Sequence, residues 1–395
     1  MLPKTSLFIF TLSLSLTAVA VTETKGQQGN TTWSATTGLG YDSNIYQAPS
    51  APYTDYAVSL PVPNPPVTPK TVTGFFVPLE MKVTSASNQN ASNRLIGAAS
   101  FKGDFYVSAN ARSANAYDLD LSGGKEHILE QKGAVEDTIF YGIFVGKHQQ
   151  TYTDHDTGLD KKPGVADRYS YTSIGVEAEY KHRVGSVDYG VKGKYADNDF
   201  ADPVVVSQLD NTHLKVGADL EFEVSSASKL KLSYNHAVQD FSDRHAHDAS
   251  GALSSANPLL IYIYNGIGAS LRNRLSADWV LYFDYDRTRR TDDYVAYNDY
   301  TQNKYSARIL YGNGDIKARL ALERWSRDYP NAYAFDVATQ GEKKYDGSNL
   351  KFKADWARSA NSSLWTEAIF NIQNSTDLRY DYERKQVMAG MSWTY

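Results

Sequence analysis

The stretch HLKVGADLEFEV constrains the fold more than any other feature of the chain. Leu214, Val216, Ala218, Leu220, Phe222 and Val224 make one uncharged face, while Lys215, Asp219, Glu221 and Glu223 fall on the other. LSADWVLYFDY does the same, with Leu275, Ala277, Trp279, Leu281, Phe283 and Tyr285 set against Asp278 and Asp284. In NLKFKADWA, Leu350, Phe352, Ala354 and Trp356 oppose Lys351, Lys353 and Asp355. Period-two alternation is the signature of a strand with one apolar face. Such strands need an apolar medium for that face, either a second sheet or lipid.

About sixteen such segments follow one another, over 32–45, 72–84, 94–107, 113–122, 135–148, 169–182, 187–198, 210–224, 229–241, 259–272, 275–288, 300–312, 315–327, 347–359, 363–374 and 384–395. The fourth has the weakest pattern, so a strand number of about 14–18 fits. RVGS (183–186), SSAS (225–228), RN (272–273) and GNGD (312–315) read as tight turns, whereas 46–71, 149–168, 243–257, 289–299 and 328–346 read as long connections. A soluble sandwich predicts strands of about five or six residues and no systematic asymmetry of loop length. Most segments here run a dozen or so residues, enough to cross a bilayer at a tilt. The expected fold is all-β: a transmembrane antiparallel up-and-down outer-membrane barrel with periplasmic turns and extracellular loops.

That fold reconciles a composition that otherwise conflicts. The chain has 395 residues, no cysteine, 29 tyrosines and a formal charge of -5, and its mean hydropathy is negative. In a wet barrel only every second residue faces lipid, so average hydropathy stays low. The small net charge carries no cue for nucleic acid. At the N-terminus Lys4 precedes the apolar stretch LFIFTLSLSL and then Ala18-Val19-Ala20, which reads as a secretory signal over 1–20. Residues 21–30 are then a short periplasmic lead and 31–395 the barrel, in the outer membrane of a Gram-negative bacterium. Its lipid is the first expected partner.

The last residues, VMAGMSWTY, put Val387, Ala389, Met391, Trp393 and Tyr395 on one face, and Trp33, Leu39 and Tyr41 share that face on the first strand. An outward odd parity sets Trp393 and Tyr395 in the periplasmic aromatic girdle. The first and last strands must pair so that no edge is left in hydrocarbon. The ending resembles the C-terminal signal that outer-membrane barrels present to the barrel-assembly machinery, which is implied as a partner during biogenesis.

The inward parity is charged. Lys192, Lys194, Asp219, Glu221, Arg308, Lys317, Arg319, Lys351 and Lys353 are the candidates for lining the lumen. Charges buried without water or partners cost several kcal/mol each, so a hydrated lumen with ion-pair ladders is expected. About sixteen strands enclose a bore too wide for side chains to fill. Both signs occur, whereas a strongly ion-selective pore shows a ring of one sign; a large, hydrated, weakly charged solute suits this wall. Tyr53, Tyr56, Tyr152, Tyr294, Tyr297, Tyr300, Tyr329 and Tyr333 crowd the long loops, either to stack on sugar rings or as ordinary interfacial tyrosines. The proline-rich 46–71 loop either folds over or into the mouth, as constriction loops do, or stays on the surface.

Nothing in the chain selects catalysis, and no cofactor or metal is expected. There is no cysteine, no G-x-S-x-G and no H-E-x-x-H. RHAHD (244–248) offers two histidines, a poor metal site by themselves. DHDTGLD (154–160) is faintly like a calcium loop but lacks the bidentate glutamate.

One further segment, TTGLGYDSNIYQAP (36–49), ends the first strand. Through Gly38, Tyr41, Asp42, Asn44 and Tyr46 it resembles the outer-membrane β-barrel porin family associated with exopolysaccharide and capsule gene clusters. The resemblance implies a channel that helps to export polysaccharide, working with periplasmic and inner-membrane export components. By parity, Asp42 and Asn44 face inward and are placed to cap the strand where it leaves the membrane. No periplasmic helical-repeat domain accompanies the barrel, unlike in larger secretion porins. A general or substrate-specific diffusion porin for small solutes stays open as the alternative, and an adhesin or structural barrel is disfavoured by loops of moderate length.

Overall fold

A computed structural model describes residues 30–395 apart from 55–65, 88–91, 109–110, 112–113, 133–134, 151–168 and 201–208. The signal segment and the lead up to residue 29 lie outside the described residues. Sixteen strands run β1 Asn30–Asp42, β2 Gly74–Ala86, β3 Asn93–Tyr106, β4 Ala116–Lys132, β5 Val135–Gln149, β6 Tyr171–Val184, β7 Val187–Phe200 and β8 Asn211–Glu223. They continue as β9 Ser228–His245, β10 Leu259–Arg274, β11 Trp279–Asp292, β12 Tyr300–Gly312, β13 Ile316–Tyr333, β14 Glu342–Ser359, β15 Ser362–Ser375 and β16 Tyr382–Thr394. Each pairs antiparallel with its neighbours in sequence, and β1 pairs with β16 to close the barrel. Every strand edge is thereby satisfied, as a sheet in hydrocarbon requires.

Alternation sets the two surfaces. Leu39, Leu121, Ile143, Val176, Val191, Leu214, Val216, Ile267, Phe283, Leu322 and Phe352 are exposed and lie on the outward parity. The connections 185–186, 224–227, 275–278, 313–315 and 360–361 are short and share one rim, while 43–54, 66–73, 246–258 and 293–299 lie at the other. Gly185 (φ 61°) and Gly314 (φ 89°) supply the positive φ that two of the tight turns use. Aromatic pairs mark the short-turn rim on the outside: Trp33 on Tyr395 at 4.5 Å and Trp279 on Tyr311 at 4.7 Å. Trp33 and Tyr395 also exchange two backbone hydrogen bonds of 2.8 and 2.9 Å, so the final residue is held in the closing seam.

Several boundaries differ from the sequence expectation. The weak fourth segment is a full strand to Lys132 and passes through Gly123-Gly124. These glycines act as space and not as breakers: a side chain at Gly124 would meet the Phe140 ring at 2.6 Å. Leu275 and Ala277 belong to a turn, not to β11. Leu275 N and Ser276 N donate to Trp279 O at 3.0 and 3.4 Å, and the Ser276 hydroxyl accepts from Asp278 N at 3.2 Å. At the long-loop rim β9, β13 and β14 each reach 18 residues, so their loops are shorter than the alternation suggested. These strands continue past the membrane because their inward side chains pack on the loops.

The bore narrows at that rim. Ile45 and Tyr46, just past β1, are buried with Val72, Phe76 and Tyr106, and half-buried Met388 packs against them. Phe76, Tyr106 and Met388 lie on the inward parity of β2, β3 and β16, so the start of the proline-rich connection folds into the mouth. Further along, Tyr53 pairs with Val67 in an isolated bridge and packs on Phe335 of the β13–β14 connection, with ring centroids 6.2 Å apart.

Candidate functional site

The first-strand motif builds the mouth from one carboxylate. Asp42 is fully buried and accepts Arg384 Nη2 at 2.6 Å, Arg384 Nε at 2.9 Å, Tyr106 Oη at 2.8 Å, Gln386 Nε2 at 3.0 Å and its neighbour Asn44 N at 2.9 Å. These donors come from β3, β16 and the turn just past β1, so the carboxylate ties the closing seam at its upper end. Asn44 shapes the exit: its amide nitrogen donates to Ala48 O at 2.8 Å and Glu383 O at 3.0 Å, and its oxygen accepts Ala48 N at 2.9 Å. Gly38 faces Gly390 across the seam, where an added Cβ would stand 2.2 Å from Ala389 O. Only glycine permits that approach. Tyr41 points outward and packs edge-on against Phe75 at 5.5 Å.

A second buried carboxylate clamps the loops. Asp377 accepts Arg379 Nε at 2.9 Å, Arg379 Nη2 at 2.8 Å and Phe335 N at 3.0 Å, with Lys343 Nζ 3.6 Å away. Burial works to raise its pKa, but the Arg379 hydrogen bonds and the two cations outweigh burial and hold the carboxyl below the ordinary range. Asp336 extends the clamp, accepting Arg379 Nη2 at 3.4 Å and Tyr297 Oη at 3.3 Å. Burial and that carboxylate push Tyr297 up to about 12.

The loop tyrosines are mostly packed rather than displayed. Arg290 lies over Tyr262, Tyr300 and Tyr329 at 4.0, 4.4 and 5.8 Å, and Arg327 lies over Tyr300 at 4.7 Å. Tyr297 is buried, Tyr294 is exposed, and Tyr56 and Tyr152 lie outside the described residues. A cleft of 410 Å³ remains beside Tyr46, lined by Gln47, Tyr169, Tyr171, Phe200, Gln373, Arg379, Tyr380 and Tyr382. It spans the bore from β6 and β7 to β15 and β16, and its walls are mostly rings, with the amides of Gln47 and Gln373 and the guanidinium of Arg379, which Asp377 pairs.

Below the mouth, the inward charges meet in pairs. Glu221 takes Lys229 at 2.9 Å, Asp219 takes Lys231 at 3.1 Å, Glu367 takes Lys351 at 2.5 Å, and Asp355 lies 3.8 Å from Lys353. Arg308 sits 3.7 Å from Asp284 and stacks over Tyr282 at 4.3 Å. Lys194 lies over the Phe144 ring at 3.7 Å. Among the described residues, Lys192, Lys194, Lys317 and Arg319 make no carboxylate contact within 4 Å.

Of the two metal candidates, RHAHD ends β9 and its histidines are otherwise engaged. His245 Nδ1 bonds Asn257 O at 2.6 Å, while His247 stacks on Tyr297 at 5.1 Å and meets Asn298 Nδ2 at 3.1 Å. DHDTGLD lies outside the described residues. Among the described residues no three His, Asp or Glu side chains converge as metal ligands. Arg384, Tyr106, Asp377 and Arg379 escaped sequence reasoning. Arg384 had a usable signal, since pairing the terminal strands by their aromatics puts inward Gln386 opposite Asp42.

No protein-family model matches the chain, and no curated protein matches it by sequence. Structural similarity runs to outer-membrane proteins. The anion-selective porin from Comamonas acidovorans is 10% identical, aligned over 93% of this chain and 100% of that one, with a TM-score of 0.45. Salmonella typhi OmpF, in complex with daunomycin, is 11% identical over 94% and 98% of the two chains, with a TM-score of 0.49. A bacterial polysaccharide outer membrane secretin is 9% identical over 91% and 98%, with a TM-score of 0.44. At such identities the similarity concerns the barrel and not what passes through it.

Proposed function

We propose that this outer-membrane barrel is an export channel for an exopolysaccharide or capsular polysaccharide, fed by periplasmic and inner-membrane components. The observation that carries this reading is the tyrosine-rich cleft set across the mouth, its one cation paired with Asp377, above a wall where many of the charges meet in pairs. Tyrosine rings give flat faces for sugar rings, and amides match hydroxyls without binding one charge state. Paired charges on a wet wall let a hydrated, weakly charged chain slide without being held. A second reading, a diffusion porin for small solutes, is favoured by Lys192, Lys194, Lys317 and Arg319, whose uncompensated cations suit small anions.

One variant separates the two. Changing Lys192, Lys194, Lys317 and Arg319 together to Glu leaves assembly intact, because all four face water. In a planar bilayer the channel then shifts toward cations. Under the export reading surface polysaccharide also falls; normal polysaccharide with shifted selectivity supports the diffusion porin and overturns export.

A further inference from the structure

The outer wall carries an unexplained basic sector. Arg287 and Arg289 on β11 and Arg324 on β13 share the outward parity of Phe283 and Leu322, and all three are exposed. They are neighbours in the sheet: Tyr285 pairs with Tyr305, which pairs with Arg324, and Arg287 pairs with Asn303 on the intervening β12. None of the three makes an ion pair or side-chain hydrogen bond among the described residues. Outward carboxylates Asp328 and Asp346 flank the sector on β13 and β14 without pairing to it.

Their depth is the informative point. Arg287 stands eight residues up β11 from Trp279 in the lower girdle, and Arg324 stands eight residues from Ile316, which pairs with Trp356. With about 3.4 Å per residue and a strand tilt near 40°, eight residues climb roughly 20 Å and the ten to Arg289 roughly 26 Å. The apolar band of such barrels is about 25 Å tall. Arg289 therefore emerges at the headgroup level of the outer leaflet, and Arg287 and Arg324, roughly 5 Å lower, reach that level with their long side chains. Nearer the midplane each would cost about 2–4 kcal/mol, but at the interface the cost falls to about 0–1 kcal/mol.

Polar side chains surround them on the same face. Asn303 accepts Tyr285 Oη at 3.1 Å, and Asn265 accepts Tyr234 Oη at 3.0 Å with His236 Nδ1 also at 3.0 Å. Arginine forks fit phosphate oxygens bidentately, and tyrosine and amide groups suit sugar hydroxyls. We propose that this face of β11–β13 is a docking site for the phosphorylated sugar headgroup of an outer-leaflet glycolipid. The proposal is independent of what the lumen conducts.

The test uses the whole barrel in vesicles of phosphatidylethanolamine, with or without bisphosphorylated lipid A. Native mass spectrometry and glycolipid co-purification read the binding. Arg287→Gln, Arg289→Gln and Arg324→Gln together should weaken retention of lipid A about tenfold or more, while conductance stays as in the wild type. The matching triple Lys variant, which keeps the charge, should retain most of the binding, and it guards against a mere assembly defect. Dephosphorylated lipid A should bind wild type and Gln variant alike. Equal retention of lipid A by wild type and Gln variant overturns the site. So does a wild type that holds dephosphorylated lipid A equally well. A Gln variant that changes only the oligomeric state makes the sector a contact between copies and likewise ends the proposal.

Discussion

Removing the Arg384 guanidinium tests whether the first-strand motif is a structural tie. Arg384→Ala strips Asp42 of both its strongest donors, at 2.6 and 2.9 Å. The pair is inside the protein, with side-chain exposures of 15% for Arg384 and 0% for Asp42. Breaking a buried pair from one side costs about 3–5 kcal/mol, because the remaining charge loses its compensation. Three neutral donors stay on the carboxylate, from Tyr106, Gln386 and Asn44, which places the loss near the low end, about 3 kcal/mol. That is more than a hundredfold in the folded-to-unfolded ratio, at about 1.4 kcal/mol per decade. Tyr106→Phe removes a single donor to a charged acceptor and should cost about 2 kcal/mol. Because both act through one carboxylate, the double variant should depart from additivity by about 1 kcal/mol. Lys385→Ala is the control. It points outward, pairs with Glu383 at 2.9 Å and is half exposed, so its loss should cost below about 1 kcal/mol. Urea unfolding in detergent, followed by tryptophan fluorescence and the heat-dependent gel shift, measures all four. If Arg384→Ala unfolds within about 1 kcal/mol of wild type, or no more easily than Lys385→Ala, the motif does not hold the seam by this charge.

Three other expectations follow from the wall and the loops. Val216→Arg, at the middle of β8 on the lipid face, should cost about 2–4 kcal/mol and lower assembled protein, whereas Lys215→Glu beside it assembles normally; equal levels in outer-membrane fractions would mean the parity is misassigned. Deleting Tyr395 removes the Trp33 stack and two seam hydrogen bonds, so folding into vesicles should slow, and an unchanged rate would make the last residue incidental. Burial holds His247 below the ordinary imidazole pKa, with Asp336 and Asp292 opposing and Arg244 and Lys343 reinforcing it. Its folded value is depressed, so the loop packing it supports is complete above about pH 6.5 and weakens as pH falls below that value. Current fluctuations from the mouth should grow on acidification, and in His247→Gln they should be independent of pH over that window.

The walls were legible in the sequence and the mouth was not. Alternation depends on which medium each side chain meets, and Leu214 to Phe222 record lipid and water residue by residue. That record also assigns Lys351 and Glu367 to one wet surface without naming them partners. Gly123-Gly124 misled because a glycine pair is equally a turn and a cavity, and only the Phe140 ring across the strand distinguishes them. Contacts such as Asp377 with Phe335 or Tyr53 with Val67 obey no period, since the loops pack by shape. The pairing of Asp42 with Arg384 spans 342 residues and was readable only by closing the barrel first.

That long-range pairing also makes closure self-checking. A slip of one residue between β1 and β16 turns one strand's side chains to the opposite face, putting Lys385 where Arg384 belongs. A slip of two residues that sets Met388 opposite Asp42 carries Arg384 a full step farther off. In either misfit the carboxylate loses the two guanidinium bonds that Arg384 makes to it, and the sealed state loses the stabilisation it has in the native register. Backbone hydrogen bonds alone do not distinguish these alignments, because the ladder repeats. The buried charge does, so the barrel proofreads its own last joint.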